Sequence, residues 1–154
     1  MPASTATIWE TIALEAESES SLWAAALRPE PEREQVAVFS PLADQRFALG
    51  IESIYEGYLL HYGHARLFSP ADRDAAVLLG DYLYAHGLVR IAGLGDVEAV
   101  ERLAELLSLC THLRAEGVRG DGEAWAATVG SLADAAPSPE AVARSLALHA
   151  GRVD

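Results

Sequence analysis

The stretch Leu78-Leu79-Gly80-Asp81-Tyr82-Leu83-Tyr84-Ala85 lies within a long, mostly apolar segment and indicates a helix at the centre of the chain. A Gly93-Leu94-Gly95 turn follows, and a second amphipathic segment then runs from Asp96 to Glu116 beside Gly117. In the second segment apolar residues recur at three- and four-residue spacing, which is the period of a helix. The centre of the chain is therefore predicted to contain two consecutive helices.

Pairs of serine and proline set the predicted helix starts. Ser40-Pro41 and Ser69-Pro70 each place a capping residue before a proline that suits the first helical position, which predicts helices over about 41–68 and 70–92. These two helices are expected to be the longest of the chain. Because the turn between them is short, they are also expected to pack antiparallel. Ser138-Pro139 predicts a last helix in the same way.

The remaining segments also have a helical pattern, and convincing alternating strands are absent. A first helix is predicted over 7–27, with a weak point at Glu17–Ser21, and a short one over 123–132 after a loop at 118–122. The predicted fold is a single all-α domain over residues 1–154, an antiparallel helical bundle of five or six helices.

Composition excludes several classes of function. With 23 acidic and 11 basic residues the net charge is −12, so nucleic acids and anionic membrane surfaces are poor partners. No run approaches the ~20 apolar residues of a membrane helix, and Met1–Glu10 has no basic residue to open a secretion signal. The one cysteine, Cys110, lies on an apolar helix stripe and is expected to be a buried thiol. A cytoplasmic protein is predicted.

Two pairs of glycines recur within the predicted central helices. Gly50 and Gly57 are seven residues apart, as are Gly80 and Gly87, so each pair lies on about one helix face. Glycine inside a helix costs up to about 1 kcal/mol relative to alanine. Close approach of two helices would explain these glycines, although chance would also produce them in a chain of this composition.

The Gly80-Asp81-Tyr82-Leu83 helix, the glycine turn and the helix ending at Glu116-Gly117 resemble the central helices of the trans-polyprenyl diphosphate synthases over about residues 51–117. They are also similar to the non-catalytic component 1 of heptaprenyl diphosphate synthase. The resemblance implies part of the isoprenoid synthase fold, with a synthase-like core at 35–117 and short C-terminal helices at 118–154. It also implies that Asp81 is an interior residue near a subunit interface.

The metal-binding aspartates of that family are missing. Leu59-Leu60-His61 matches the segment that precedes the first aspartate-rich motif, but Tyr62-Gly63 stands where the aspartate pair belongs. Magnesium needs several carboxylate oxygens, so His61, Tyr62 and Gly63 form a degenerate first metal motif. The sequence therefore nominates no catalytic residue, cofactor or metal site, and the chain alone is not expected to be active.

An oligomer is predicted through the helix that carries Asp81, because a helix that is apolar nearly all round must be buried nearly all round. The predicted contact has four members: Leu79, Tyr82, Leu83 and His86. Asp81 is expected to be buried and bonded to Arg66, Arg73 or a tyrosine hydroxyl, since an unpaired buried carboxylate is costly. The alternative is an Asp81 that points outward from a partly covered helix.

Two functions are compatible with these features. The first is a non-catalytic partner or regulatory subunit of a polyprenyl diphosphate synthase in isoprenoid biosynthesis, as a homodimer or as a heteromer with the catalytic subunit. The second is a self-associating helical binding module for an apolar ligand, unrelated to catalysis. The tyrosine-rich stripe from Tyr55 to Tyr62 and the three tryptophans suit the second equally well.

Overall fold

Helices account for the regular secondary structure of residues 6–153, the part of the chain that the computed structural model describes. The α-helices are α1 (Ile8–Glu19), α2 (Ser21–Ala26), α3 (Ala48–Tyr62), α4 (Arg73–Gly93), α5 (Val97–Glu116), α6 (Asp121–Gly130) and α7 (Pro139–Ala150). Short 3-10 helices at Glu30–Glu32, Ser40–Leu42 and Gln45–Phe47 lie between α2 and α3. The all-α prediction is confirmed, although the described residues form seven α-helices and not the five or six predicted. Residues 1–5 and 154 of the predicted domain lie outside the described residues.

Two predicted helix starts are wrong, because their serine–proline pairs belong to the connections. Ser40–Leu42 forms an isolated 3-10 turn, and α3 begins only at Ala48. The cap of α4 is Asp72, whose carboxylate accepts the N–H of Ala75 at 2.8 Å, so α4 begins at Arg73. α3 ends at Tyr62, and with 15 residues it is shorter than α5, which has 20.

Two other predicted boundaries are confirmed. The first predicted helix breaks at Ser20, inside its weak point, where the serine hydroxyl accepts the N–H of Leu22 and caps α2. This break divides one predicted helix into α1 and α2. Ser138 caps α7 by accepting the N–H of Ala141 at 3.1 Å, with Pro139 at the first helical position.

α3 and α4 pack antiparallel along the two glycine pairs. A Cβ on Gly57 would lie 2.7 Å from the carbonyl oxygen of Gly80, and a Cβ on Gly87 would lie 2.8 Å from that of Gly50. Real Cβ atoms keep at least 3.0 Å from such neighbours, so the two backbones approach more closely than a side chain would permit. The antiparallel packing and the close approach at the glycines are confirmed.

α3 lies at the centre of the core, and every residue from Gly50 to Leu60 is buried. Two of these residues are acidic, Glu52 and Glu56, and both meet Arg66 of the α3–α4 connection. Arg66 donates to Glu52 at 2.6 Å and to Glu56 at 3.0 Å, and all three side chains are 0% exposed. A buried carboxylate is tolerated where it is paired and hydrogen-bonded, as both are here.

This buried ion cluster holds both flanking connections against α3. Glu52 also accepts the N–H groups of Val38 and Ser40 from the segment before α3. Glu56 also accepts the N–H groups of Arg66 and Leu67 from the segment after it. Within residues 6–153, no helix is both long and apolar enough to cross a bilayer.

Candidate ligand-binding cleft

Asp81 points outward from α4, with 62% of its side chain exposed, and its carboxylate lies 3.1 Å from His61 Nε2. The prediction of a buried Asp81 bonded to Arg66 or Arg73 is wrong, and the outward-pointing alternative is confirmed. Asp81 is exposed because α4 packs against α3 through the preceding residue, Gly80. Gly80 lies against α3, and the next residue of a helix is rotated about 100° away from that contact.

The four predicted contact residues pack within the chain itself. Leu79 and Leu83 lie in the core at 0% and 1% exposure, so the chain itself covers both side chains, and a subunit contact near them stays a prediction. Tyr82 packs against Trp23 of α2, with 5.9 Å between ring centroids. His86 Nε2 lies 2.8 Å from a carboxylate oxygen of Glu15 in α1. Short neighbouring helices therefore cover this side of α4.

The degenerate metal motif forms the end of α3. The His61 ring stacks on Tyr84 of α4 at 5.1 Å, and burial lowers the pKa of His61 against the opposing effect of Asp81. Gly63 pairs with Val153 so closely that a Cβ would clash with the backbone there. Among residues 6–153, no three His, Cys, Asp or Glu side chains are grouped to hold a metal ion.

A polar network that the sequence analysis missed joins α3, α5, α6 and α7. Asp121, the first residue of α6, accepts from the Tyr58 hydroxyl at 2.6 Å and from Arg114 Nη2 at 2.7 Å. The same oxygen lies 3.2 Å from His149 Nε2. Burial alone would raise the pKa of Asp121, but hydrogen bonds from His149, Tyr58 and Arg114 hold it well below its usual range.

The network fixes His149 from both sides of its ring. Nδ1 lies 2.7 Å from the Tyr55 hydroxyl, while Nε2 faces Asp121. Because a carboxylate only accepts, Nε2 carries a proton, and in the neutral ring Nδ1 then accepts from Tyr55. Burial raises the pKa of both Tyr55 and Tyr58 above that of an ordinary phenol, so both hydroxyls keep their protons near neutrality.

A cleft of about 570 Å³ opens beside this network. Its walls come from the end of α5, the α5–α6 loop, the first turn of α6 and the end of α7. The apolar lining residues are Leu113, Val118, Leu146, Ala150 and Val153, and the polar ones include Arg114, Arg119, Asp121, Glu123 and His149. Small-molecule sites typically measure ~300–1,000 Å³ and combine apolar walls with a few placed polar groups.

Glycines shape the loop that borders the cleft. Gly117 ends α5 with φ +66° and Gly120 precedes α6 with φ +125°, both in the left-handed region that favours glycine. Gly122 lies against the His149 ring, where a Cβ would approach to 2.9 Å. The predicted loop at 118–122 is confirmed only over 118–120, because α6 begins at Asp121, two residues earlier than expected.

Cys110 lies in the core at 0% exposure, as the sequence predicts for a buried thiol. Burial raises the pKa of the Cys110 thiol to about 11, so it stays protonated near neutral pH. A protonated, buried thiol is a poor nucleophile. Cys110 is therefore not an activated nucleophile.

Comparison of the chain with protein-family models, with curated protein sequences and with solved structures finds no match. The resemblance to the polyprenyl diphosphate synthases therefore stays an expectation that rests on the sequence alone.

Proposed function

We propose that this protein is a non-catalytic helical binding module that holds a small, largely apolar molecule in the α5–α6–α7 cleft. The observation that carries the proposal is the cleft itself, which has apolar side chains on several walls and a volume of about 570 Å³. Burial of apolar ligand surface there would contribute about 25 cal/mol per Å² before the costs of association.

The polar side of the cleft supports binding rather than catalysis. Asp121 already accepts from Tyr58 and Arg114, and both ring nitrogens of His149 face a partner. A general base needs an acceptor that can reach the substrate proton, and here Tyr55 faces one ring nitrogen of His149 while Asp121 faces the other. Such a network instead keeps the cleft wall rigid, which lowers the entropic cost of binding.

The test is binding of the neutral, apolar fluorophore N-phenyl-1-naphthylamine, whose emission increases in an apolar site. Wild type should bind it saturably, with one molecule per chain. Ala150→Trp fills the cleft and should abolish this signal. Ala147→Trp is the matched control, because Ala147 is an exposed α7 residue outside the lining and its substitution should leave binding unchanged. Equal binding by both variants would refute the cleft as the site.

The polyprenyl synthase partner subunit is the second candidate, and one surface feature favours it. Leu78 and Val89 on α4 are 55% and 67% exposed and lie on one helix face with Ala85. A partner would cover this face rather than Leu79 and Leu83. Co-purification with a polyprenyl diphosphate synthase and a changed product length would support it. Leu78→Glu should abolish the association, while Ala104→Glu on the exposed face of α5 should not.

A further inference from the structure

A second cavity, of about 360 Å³, lies between the end of α3 and the start of α4. Apolar residues such as Leu59, Leu60 and Phe68 form part of its lining. Its basic lining side chains are Arg28, His64 and Arg73, and its acidic one is Asp72. The cavity shares no lining residue with the α5–α6–α7 cleft. It is therefore a separate site in a chain whose net charge is −12.

The two arginines of this cavity are anchored by backbone carbonyl groups. Arg28 Nη2 donates to the carbonyl oxygen of Ala65 at 3.1 Å, and Arg73 Nη1 donates to that of His61 at 2.9 Å. Neither guanidinium forms an ion pair with a carboxylate of residues 6–153, and the buried Nε of Arg28 has no acceptor there. Within the described residues, both guanidinium groups are thus held by backbone carbonyl groups and not by a paired carboxylate.

The nearby carboxylates are already engaged elsewhere. Asp72 uses its side chain to cap α4 by accepting the N–H of Ala75. Glu34 accepts from Arg152 at 3.0 Å, and this bond is the largest of the effects that lower the pKa of Glu34, while Arg28 adds a smaller one. Two anchored guanidinium groups therefore line this cavity, and the one acidic side chain that the described residues contribute to its lining is committed to a helix cap.

We propose that this cavity binds a small dianionic oxyanion of the phosphate class between Arg28 and Arg73. A guanidinium presents its N–H groups as a planar fork that matches phosphate oxygens, and a pair of them matches the charge of a dianion. The two arginines come from separate parts of the chain, one after α2 and one in the first turn of α4. The bound anion would bridge these segments.

Isothermal titration calorimetry with sodium phosphate tests the site, with sodium chloride at matched ionic strength as the reference for general screening. Wild type should bind one phosphate per chain saturably, and acetate should bind more weakly because it carries one charge. Arg73→Gln removes a charge-assisted hydrogen bond and should weaken binding about tenfold. Arg144→Gln, on the exposed face of α7, should bind phosphate like wild type.

Arg28→Gln also removes the bond to Ala65, so a second variant guards against loss of folding. Ala76→Asp keeps both arginines and places a carboxylate in the cavity wall, where it should abolish phosphate binding while the far-UV spectrum stays helical. The cleft variant Ala150→Trp should still bind phosphate. The proposal would be overturned if wild type showed no saturable phosphate binding, or if it bound acetate as tightly as phosphate. It would also be overturned if Arg73→Gln and Ala76→Asp both bound phosphate with wild-type affinity.

Discussion

Replacement of Gly87 by alanine should destabilise the fold by forcing α3 and α4 apart. The new Cβ would lie 2.5 Å from Ile54 Cγ1, 2.8 Å from the carbonyl oxygen of Gly50 and 3.2 Å from the backbone nitrogen of Ile54. Two of these three atoms belong to the backbone of α3. A rotamer change in Ile54 can relieve only the first contact, so the remaining strain must move a helix.

The magnitude follows from two opposing effects. Overpacking of a well-packed core typically costs about 1–3 kcal/mol. Alanine regains up to about 1 kcal/mol of helix propensity over glycine. The expected net loss is therefore up to about 2 kcal/mol, which corresponds to a decrease in Tm of up to about 8 °C for a domain of this size.

Gly93→Ala is the matched control in the same helix. No atom lies within 4 Å of a Cβ at Gly93, so only the gain in helix propensity remains and this variant should be as stable as wild type or slightly more stable. Urea and thermal unfolding followed by far-UV circular dichroism measure both variants. A Gly87→Ala protein as stable as Gly93→Ala would refute the close glycine packing of α3 and α4.

Three further predictions concern buried polar groups. Arg66→Met should cost at least about 3–5 kcal/mol in urea unfolding, because it leaves two buried carboxylates unpaired; wild-type stability would contradict the role of the ion cluster. The pKa of Asp121 is lower in the folded state, so its contribution to stability should be complete above the unfolded-state pKa of ~4 and lost as pH falls toward the folded value. Asp121→Asn should flatten that acid dependence of the unfolding free energy. An unchanged pH profile in this variant would exclude Asp121 as the source of the dependence. The Cys110 thiol should react slowly with a disulfide reagent at neutral pH and rapidly in urea; equal rates would contradict its burial.

Local patterns predicted the parts of the fold that depend on neighbouring residues in sequence. The glycine pairs predicted the α3–α4 contact, because two closely packed helices need glycine at positions that recur on the contacting face. The pairs Ser40-Pro41 and Ser69-Pro70 misled, since Asp72 outcompetes Ser69 as the cap and a 3-10 turn suits Ser40 equally well. Residue preference at the cap alone does not decide between two candidate caps three residues apart, such as Ser69 and Asp72.

The polar side of the cleft could not be predicted from the sequence, because its members are brought together only by tertiary packing. Tyr58, Asp121 and His149 are separated by 63 and 28 residues, and none belongs to a short motif. The buried ion cluster did leave a signal that was missed. Glu52 and Glu56 are four residues apart within the buried stripe of α3, a spacing that places two carboxylates on one helix face.

The most direct test of the proposed function is to locate N-phenyl-1-naphthylamine on the protein by amide NMR. The cleft predicts shifts that saturate together at Gly117, Gly120 and Gly122, while the amides of Gly93 at the end of α4 and Gly95 in the α4–α5 turn stay unchanged. Unperturbed cleft glycines, or shifts confined to the exposed face of α4 near Leu78 and Val89, would contradict the claim that this cleft is the binding site.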